Sequence, residues 1–173
     1  MKSNCRISKQ NDLISVCDLG THAMCGFFQS SKDQEIDFGS LELGWSPSSG
    51  LLQLIEERDV TKMYGDNYGY RSGLNNSMVE HLRNKVKYLL NLCNKDRISC
   101  VLDIGSNDGT LLSFYDPSIE RVGIDPTIVK YSAYYETGII QVPKFFNSDS
   151  FVTASAHKKA DIITSVSMFY DLP

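Results

Sequence analysis

The chain has no excess of positive charge: 17 Lys and Arg stand against 21 Asp and Glu in 173 residues, a formal net charge of −4. Neutralising phosphates supplies most nucleic-acid affinity, so without a basic stripe no nucleic-acid partner is expected. No apolar run approaches the roughly 18 to 20 residues of a membrane helix, and no membrane partner is expected either. The opening Met-Lys-Ser-Asn-Cys-Arg leads into polar sequence. It lacks the apolar core of a signal peptide, which makes a soluble cytoplasmic protein the expectation. The cysteines Cys5, Cys17, Cys25, Cys93 and Cys100 are odd in number and have no repeating spacing. Reduced thiols are therefore expected, not a disulfide framework.

What is present divides into three stretches. Residues 1–60 hold short apolar pieces broken by Gly, Ser, Pro and Asp. Leu13 to Cys17 and Leu51 to Ile55 are strand candidates. Ser46-Pro47-Ser48-Ser49-Gly50 is a turn signal, with proline pre-setting φ and glycine free to take a positive one. Too few apolar residues fall in phase for a large core, so a small irregular module is expected. Residues 61–98 combine a tyrosine loop with a linking helix. The loop, Tyr64 to Asn75, carries three glycines and three tyrosines. Ser77 with Glu80 fits a capping box. Met78, Leu82, Val86, Leu89, Leu90 and Cys93 follow at spacings of three and four, marking one face of a helix that runs to about Cys93. His81 falls near the apolar edge of that helix, which suggests packing.

Residues 99–173 alternate strand and helix signals. Strands are expected at Ser99 to Ile104, Arg121 to Ile124, the first half of Ile139 to Phe146, and Asp161 to Met168. Helices are expected at Thr110 to Tyr115, Thr127 to Glu136 and Asp149 to Lys159. Such alternation with short connections predicts an α/β fold, a parallel, doubly wound, Rossmann-like sheet.

The most informative stretch is Val101-Leu102-Asp103-Ile104-Gly105-Ser106-Asn107-Asp108-Gly109-Thr110. A buried strand enters a tight glycine turn and then opens a helix. Gly105 permits the sharp turn, and Gly109 lets a ligand or helix approach where a Cβ would intrude. Twenty residues after Gly105, the second strand ends at Asp125, placing an acceptor where a ribose could donate to it. Dinucleotides prefer G-x-G-x-x-G, with pyrophosphate on a helix N-terminus. Here Asn107 replaces the middle glycine, and Asp108 puts negative charge where phosphates would lie. S-adenosylmethionine carries an ammonium and a sulfonium and suits Asp103 better. The alternative is a doubly wound domain that binds no nucleotide.

Asp-x-Gly-x-x-x-Gly with the later acid resembles the first two motifs of class I methyltransferases. Tyr68-Gly69-Tyr70-Arg71-Ser72-Gly73, Met78 to Lys85 and Val101 to Leu112 resemble the nucleotide-sugar C-methyltransferases of deoxysugar biosynthesis. Val122-Gly123-Ile124-Asp125-Pro126 and Ser167-Met168-Phe169-Tyr170-Asp171-Leu172-Pro173 fit the same family. The resemblance covers nearly the whole chain and the leading part of a full family member. It implies S-adenosylmethionine bound by Asp103, Gly105 and Asp125, with Ser106, Asn107, Gly109, Pro126 and Ser167 in the same cofactor site. Tyr68, Tyr70 and Ser72 would form a lid shared between cofactor and sugar. The family deprotonates a carbon beside a ketone of a nucleotide-linked sugar, and the resulting enolate takes the methyl group. Its Glu-His catalytic pair lies beyond the position matching Pro173. Tyr68 and Tyr70 are then the catalytic candidates, with Asp171 a weaker one.

Family members begin with a zinc module of two C-x-x-C pairs. Those pairs map onto Cys5 and Ser8, and onto Ser46 and Ser49. Serine hydroxyls do not ionise near neutral pH and cannot replace thiolates, so zinc is not expected. The implied function is the N-terminal portion of a C-methyltransferase, with a truncated sheet, binding cofactor but not turning over alone. Its fourth-strand edge would be open to a complementing chain or to self-association. The rivals are a non-catalytic binding or assembly half of a split or degenerate methyltransferase and, disfavoured by Asn107 and Asp108, an NAD-dependent oxidoreductase.

Overall fold

The structure is a computed structural model that describes residues 4–23, 29, 31–56, 64, 68–93 and 97–169. The chain divides into two compact units, Met1–Met63 with Asn67–Gly69 and Tyr64–Asp66 with Tyr70–Pro173. No helix among the described residues is long and apolar enough to cross a membrane. Cys5, Cys17, Cys93 and Cys100 are free thiols, and Cys25 lies outside the described residues.

The first unit is a three-stranded antiparallel sheet of β1 (Ile14–Ala23), β2 (Phe38–Trp45) and β3 (Leu52–Leu54), in that order. Trp45 lies opposite Ile14 on one side and Leu52 on the other. The expected strands at Leu13 to Cys17 and Leu51 to Ile55 are β1 and β3, and the expected turn at 46–50 joins β2 to β3. Strand β2 has no counterpart in the sequence reading. Its Leu41, Leu43 and Trp45 alternate correctly, but Gly39 and Gly44 weaken the signal. Gly44 is required by packing, because a Cβ there would sit 2.7 Å from Ile55 Cγ1.

The second unit is α/β. Strands β4 (Cys100–Ile104), β5 (Glu120–Ile124), β6 (Ile139–Val142) and β7 (Ile162–Thr164) form a wholly parallel sheet in the order β6-β5-β4-β7. All five residues of β4 are buried, as expected of a central parallel strand covered on both faces. Helix α1 (Asn76–Leu92) buries Leu82 and Val86 into one apolar cluster, with Met78, Leu89, Leu90 and Cys93 packed against it. That is the face predicted from the spacing. Its cap differs: Asn75, extended at φ −112°, accepts from Ser77 N through its side chain at 2.9 Å. Glu80 is instead drawn to Arg83, 3.3 Å away. His81 is exposed, so it does not pack.

The other helices are shorter than expected, each for a local reason. After the glycine loop only a 3-10 turn forms, Leu112–Phe114. Pro117 disfavours helical backbone at Asp116, leaving no room for more. Helix α2 (Ile128–Tyr131) runs into a second 3-10 turn, Ser132–Tyr134. It stops where Tyr135 turns inward to hydrogen-bond Ser106. Helix α3 (Ser148–Ala154) ends where Glu120 captures the Ser155 hydroxyl and the Ala156 amide.

Candidate functional site

Strands β4 and β5 aim their C-terminal ends at one place, and the loop from Gly105 to Thr110 fills it. Gly105 takes φ +76° and its amide donates to Ile124 O at 2.9 Å, which turns the chain across the top of β5. Asn107 follows at φ +52°, a conformation asparagine tolerates better than most residues. Its amide donates to Asp125 Oδ2 at 2.8 Å. The other oxygen of Asp125 accepts from Thr127 N and Oγ1, both at 2.6 Å. Three of the roughly four acceptor positions of that carboxylate are therefore taken, and one on Oδ2 stays open to a ligand hydroxyl.

Asp103 is buried on β4 and accepts from Thr164 Oγ1 of the neighbouring β7 at 2.7 Å. Burial pushes its carboxyl up to about 7; the Thr164 hydroxyl opposes this, and the charge of Asp125 adds to it. Beneath the loop, the Tyr135 hydroxyl lies 2.8 Å from Ser106 Oγ and donates to Asn107 O at 3.1 Å. A Cβ on Gly109, itself at φ +76°, would come within 2.7 Å of the Tyr135 ring. Gly109 thus makes room for the tyrosine that supports the loop.

The Tyr70–Gly73 segment is fastened over this loop. The Asn107 side chain accepts from Ser72 N at 2.8 Å and donates to Tyr70 O at 3.1 Å, the two-bond pattern of a strand pair. Asp108 is buried, and it accepts from Gly73 N at 2.8 Å, Thr110 Oγ1 at 2.6 Å and Thr110 N at 3.2 Å. Arg71 reaches Asp108 at 3.4 Å and lies 3.9 Å over the Tyr134 ring. Asp108 therefore works as an anchor for the loop, a role not anticipated from the sequence, where it counted only as charge.

Asp103, Gly105, Ser106, Asn107, Gly109, Asp125, Ser72 and the Tyr70 backbone all meet here. Half-buried Pro126 follows Asp125, and the Tyr70 side chain is exposed. Ser167, exposed at φ +56°, stands beyond β7. Next to it Met168 covers Gly105, where a Cβ would lie 2.9 Å from Met168 Cγ. Tyr68 is half-buried and belongs to the first unit. Asp171 lies outside the described residues. Arg71, Tyr134, Tyr135, Thr164 and Met168 were missed as site residues by sequence reasoning; for the Asp108 anchor, the Asp-Gly turn chemistry of Asp108-Gly109 is the local signal that could have found it. The buried carboxylates Asp103, Asp108 and Asp125 make the site acidic, and Arg71 offsets only part of that charge. Such a site suits a cationic ligand and disfavours a pyrophosphate.

In the first unit, two turns bring Cys5, Ser8, Ser46 and Ser49 into one cluster. Cys5 Sγ lies 3.1 Å from Ser49 Oγ and accepts from Ser8 N at 3.4 Å. Ser46 donates to both oxygens of Asp12, at 2.9 and 3.0 Å. Burial pushes the Cys5 thiol up, but hydrogen bonds from Ser46, Ser49 and Ser8 outweigh it and hold the thiol down at about 6.

Residues 5–64 match a methyltransferase family model described as "Putative zinc binding domain". This ties the chain to methyltransferase-related proteins. No curated protein matches it. The residues at the knuckle do not fit zinc. Three of the four positions are hydroxyls, Ser46 is a proton donor to Asp12, and zinc requires deprotonated ligands. Among the described residues no group of three or more His, Cys, Asp or Glu side chains is placed to hold a metal ion.

Proposed function

We propose that the second unit binds S-adenosylmethionine and serves methyl transfer to a carbon of a nucleotide-linked keto-deoxysugar. The observation that carries this reading is the acidic glycine loop, in which buried Asp103 and Asp125 flank Gly105 at the ends of adjacent parallel strands. A dinucleotide would need a helix N-terminus for its pyrophosphate, and the loop leads only into the three-residue turn Leu112–Phe114. That weighs against a nicotinamide oxidoreductase.

When bound, S-adenosylmethionine supplies a methyl group activated by a sulfonium. In this reading Asp125 accepts from a ribose hydroxyl through its open Oδ2 position, and Asp103 offers negative charge to the cationic end. Gly105, Ser106, Asn107, Gly109 and Pro126 shape the floor, with Ser167 at its margin. Ser72, held on Asn107, and the exposed Tyr70 cover the mouth. The phenol oxygen of Tyr70 is the group that would hold or move a proton at the sugar.

Calorimetric titration of S-adenosylmethionine into the chain, beside Asp103→Ala, tests the reading. Saturable binding that the substitution abolishes supports it. A folded chain that binds none, or that binds NADH instead, overturns it.

A further inference from the structure

We infer that the first unit is a zinc knuckle pair converted to a metal-free form, held together by an Asp12-centred hydrogen-bond network. The cage geometry survives, so restoring three thiols would restore the metal.

The two turns share three hydrogen bonds at matching positions. Lys9 N donates to Cys5 O at 2.9 Å, and Gly50 N donates to Ser46 O at 2.8 Å. Cys5 N donates to Gln10 O and Ser46 N to Leu51 O, both at 2.9 Å. Gln10 N donates to Ser8 Oγ at 3.4 Å, and Leu51 N to Ser49 Oγ at 3.2 Å. Each turn closes on a positive φ, 61° at Lys9 and 75° at Gly50. Lysine there is strained where glycine is not, so the first turn keeps this shape despite its local preference. Two separate segments sharing one hydrogen-bond pattern, with their first and fourth side chains converging, form a cage for a tetrahedral ion.

The contents of that cage have changed. Thiolates around zinc would carry negative charge and repel one another without the metal. Here Ser46 and Ser49 carry none, and Ser46 is fully buried. A buried hydroxyl needs a partner. Asp12, outside the four ligand positions, takes the Ser46 proton donor on both oxygens and also accepts from Ser48 N at 3.1 Å. Cys5 completes the bridge to the second turn through Ser49. Asp12, just past the first turn, thereby holds the second turn from within, and the Cys5–Ser49 contact joins the two turns where the ion would.

The test uses the purified full chain, and Trp45 on β2, the single tryptophan, reports the first unit. Wild type purified from zinc-supplemented medium is expected to carry far less than one zinc per chain. Its urea midpoint by Trp45 fluorescence should not move with a chelator, whereas Asp12→Ala should lower it. The variant carrying Ser8→Cys, Ser46→Cys and Ser49→Cys is expected to bind one cobalt ion with the visible bands of a tetrahedral thiolate site. It should also gain stability on adding zinc. Stoichiometric zinc in wild type, or a midpoint lowered by chelator, overturns the metal-free form. A triple variant that neither binds cobalt nor folds when it is added overturns the surviving cage.

Discussion

Asp108→Asn isolates the anchor that joins the glycine loop to the Tyr70–Gly73 segment. The substitution is isosteric, so its cost is electrical and not a cavity. One carboxylate oxygen of Asp108 faces Gly73 N and Arg71, and the other faces Thr110 N and Oγ1. Whichever way the new amide is turned, its NH2 group meets a backbone N–H. A buried donor left unsatisfied costs about 1–3 kcal/mol, and a lost charge-assisted bond about 1.5–3 kcal/mol. The two overlap, and Arg71 is 19% exposed and keeps its stacking on Tyr134. We therefore expect about 3 kcal/mol. With a urea slope of about 2 kcal/mol/M for a domain of this size, the midpoint falls by about 1.5 M. Helices α1 to α3 all lie in the second unit, so far-UV circular dichroism follows that unit while Trp45 fluorescence follows the first. The dichroism midpoint should drop and the fluorescence midpoint should stay. A dichroism shift equivalent to less than about 1 kcal/mol would refute the anchor.

Further outcomes are expected at Gly109, Gly44 and Asp103. Gly109→Ala combines an unfavourable φ of +76° with a Cβ 2.7 Å from the Tyr135 ring. It should cost about 3 kcal/mol by dichroism, the sum of backbone strain and overpacking. Gly44→Ala would press on Ile55 and should cost about 1–3 kcal/mol, read as a lower midpoint by Trp45 fluorescence alone. Asp103 titrates at about 7 in the fold against 3.8 ordinarily. Between those values the folded state keeps a proton that the unfolded state has released, so this group's contribution to stability falls as pH rises from about 4 to 7 and is level above. The difference in urea midpoint between wild type and Asp103→Asn should follow that window. Because the ionised form attracts a cation, S-adenosylmethionine affinity should rise from pH 6 to 8, and a flat profile would remove Asp103 from cation binding.

Local pattern was enough wherever the cause was local. The three-and-four spacing from Met78 to Cys93 marks the buried face of α1. The Pro-Ser-Ser-Gly turn at 46–50 and the parallel strands of the second unit follow from turn chemistry and from short, buried apolar runs. The glycine loop with Asp103 and Asp125 was legible because only glycine meets its backbone demands at Gly105 and because strand ends fix where acids point. Tertiary contacts decided the rest. Tyr135 and Glu120 end helices that their sequences would extend, by offering side-chain partners from elsewhere in the chain. Gly44 reads as a breaker and is instead a space left for Ile55. Asp108 becomes an anchor only when Arg71 and Gly73, more than thirty residues earlier, come to meet it. Asp12 carries no motif, and its role exists only once the chain brings Ser46 to it across 34 residues. Periodicity and turn preference act between near neighbours and are written in order along the chain. Buried polar groups take whichever partner folding delivers, and only the folded chain sets that choice.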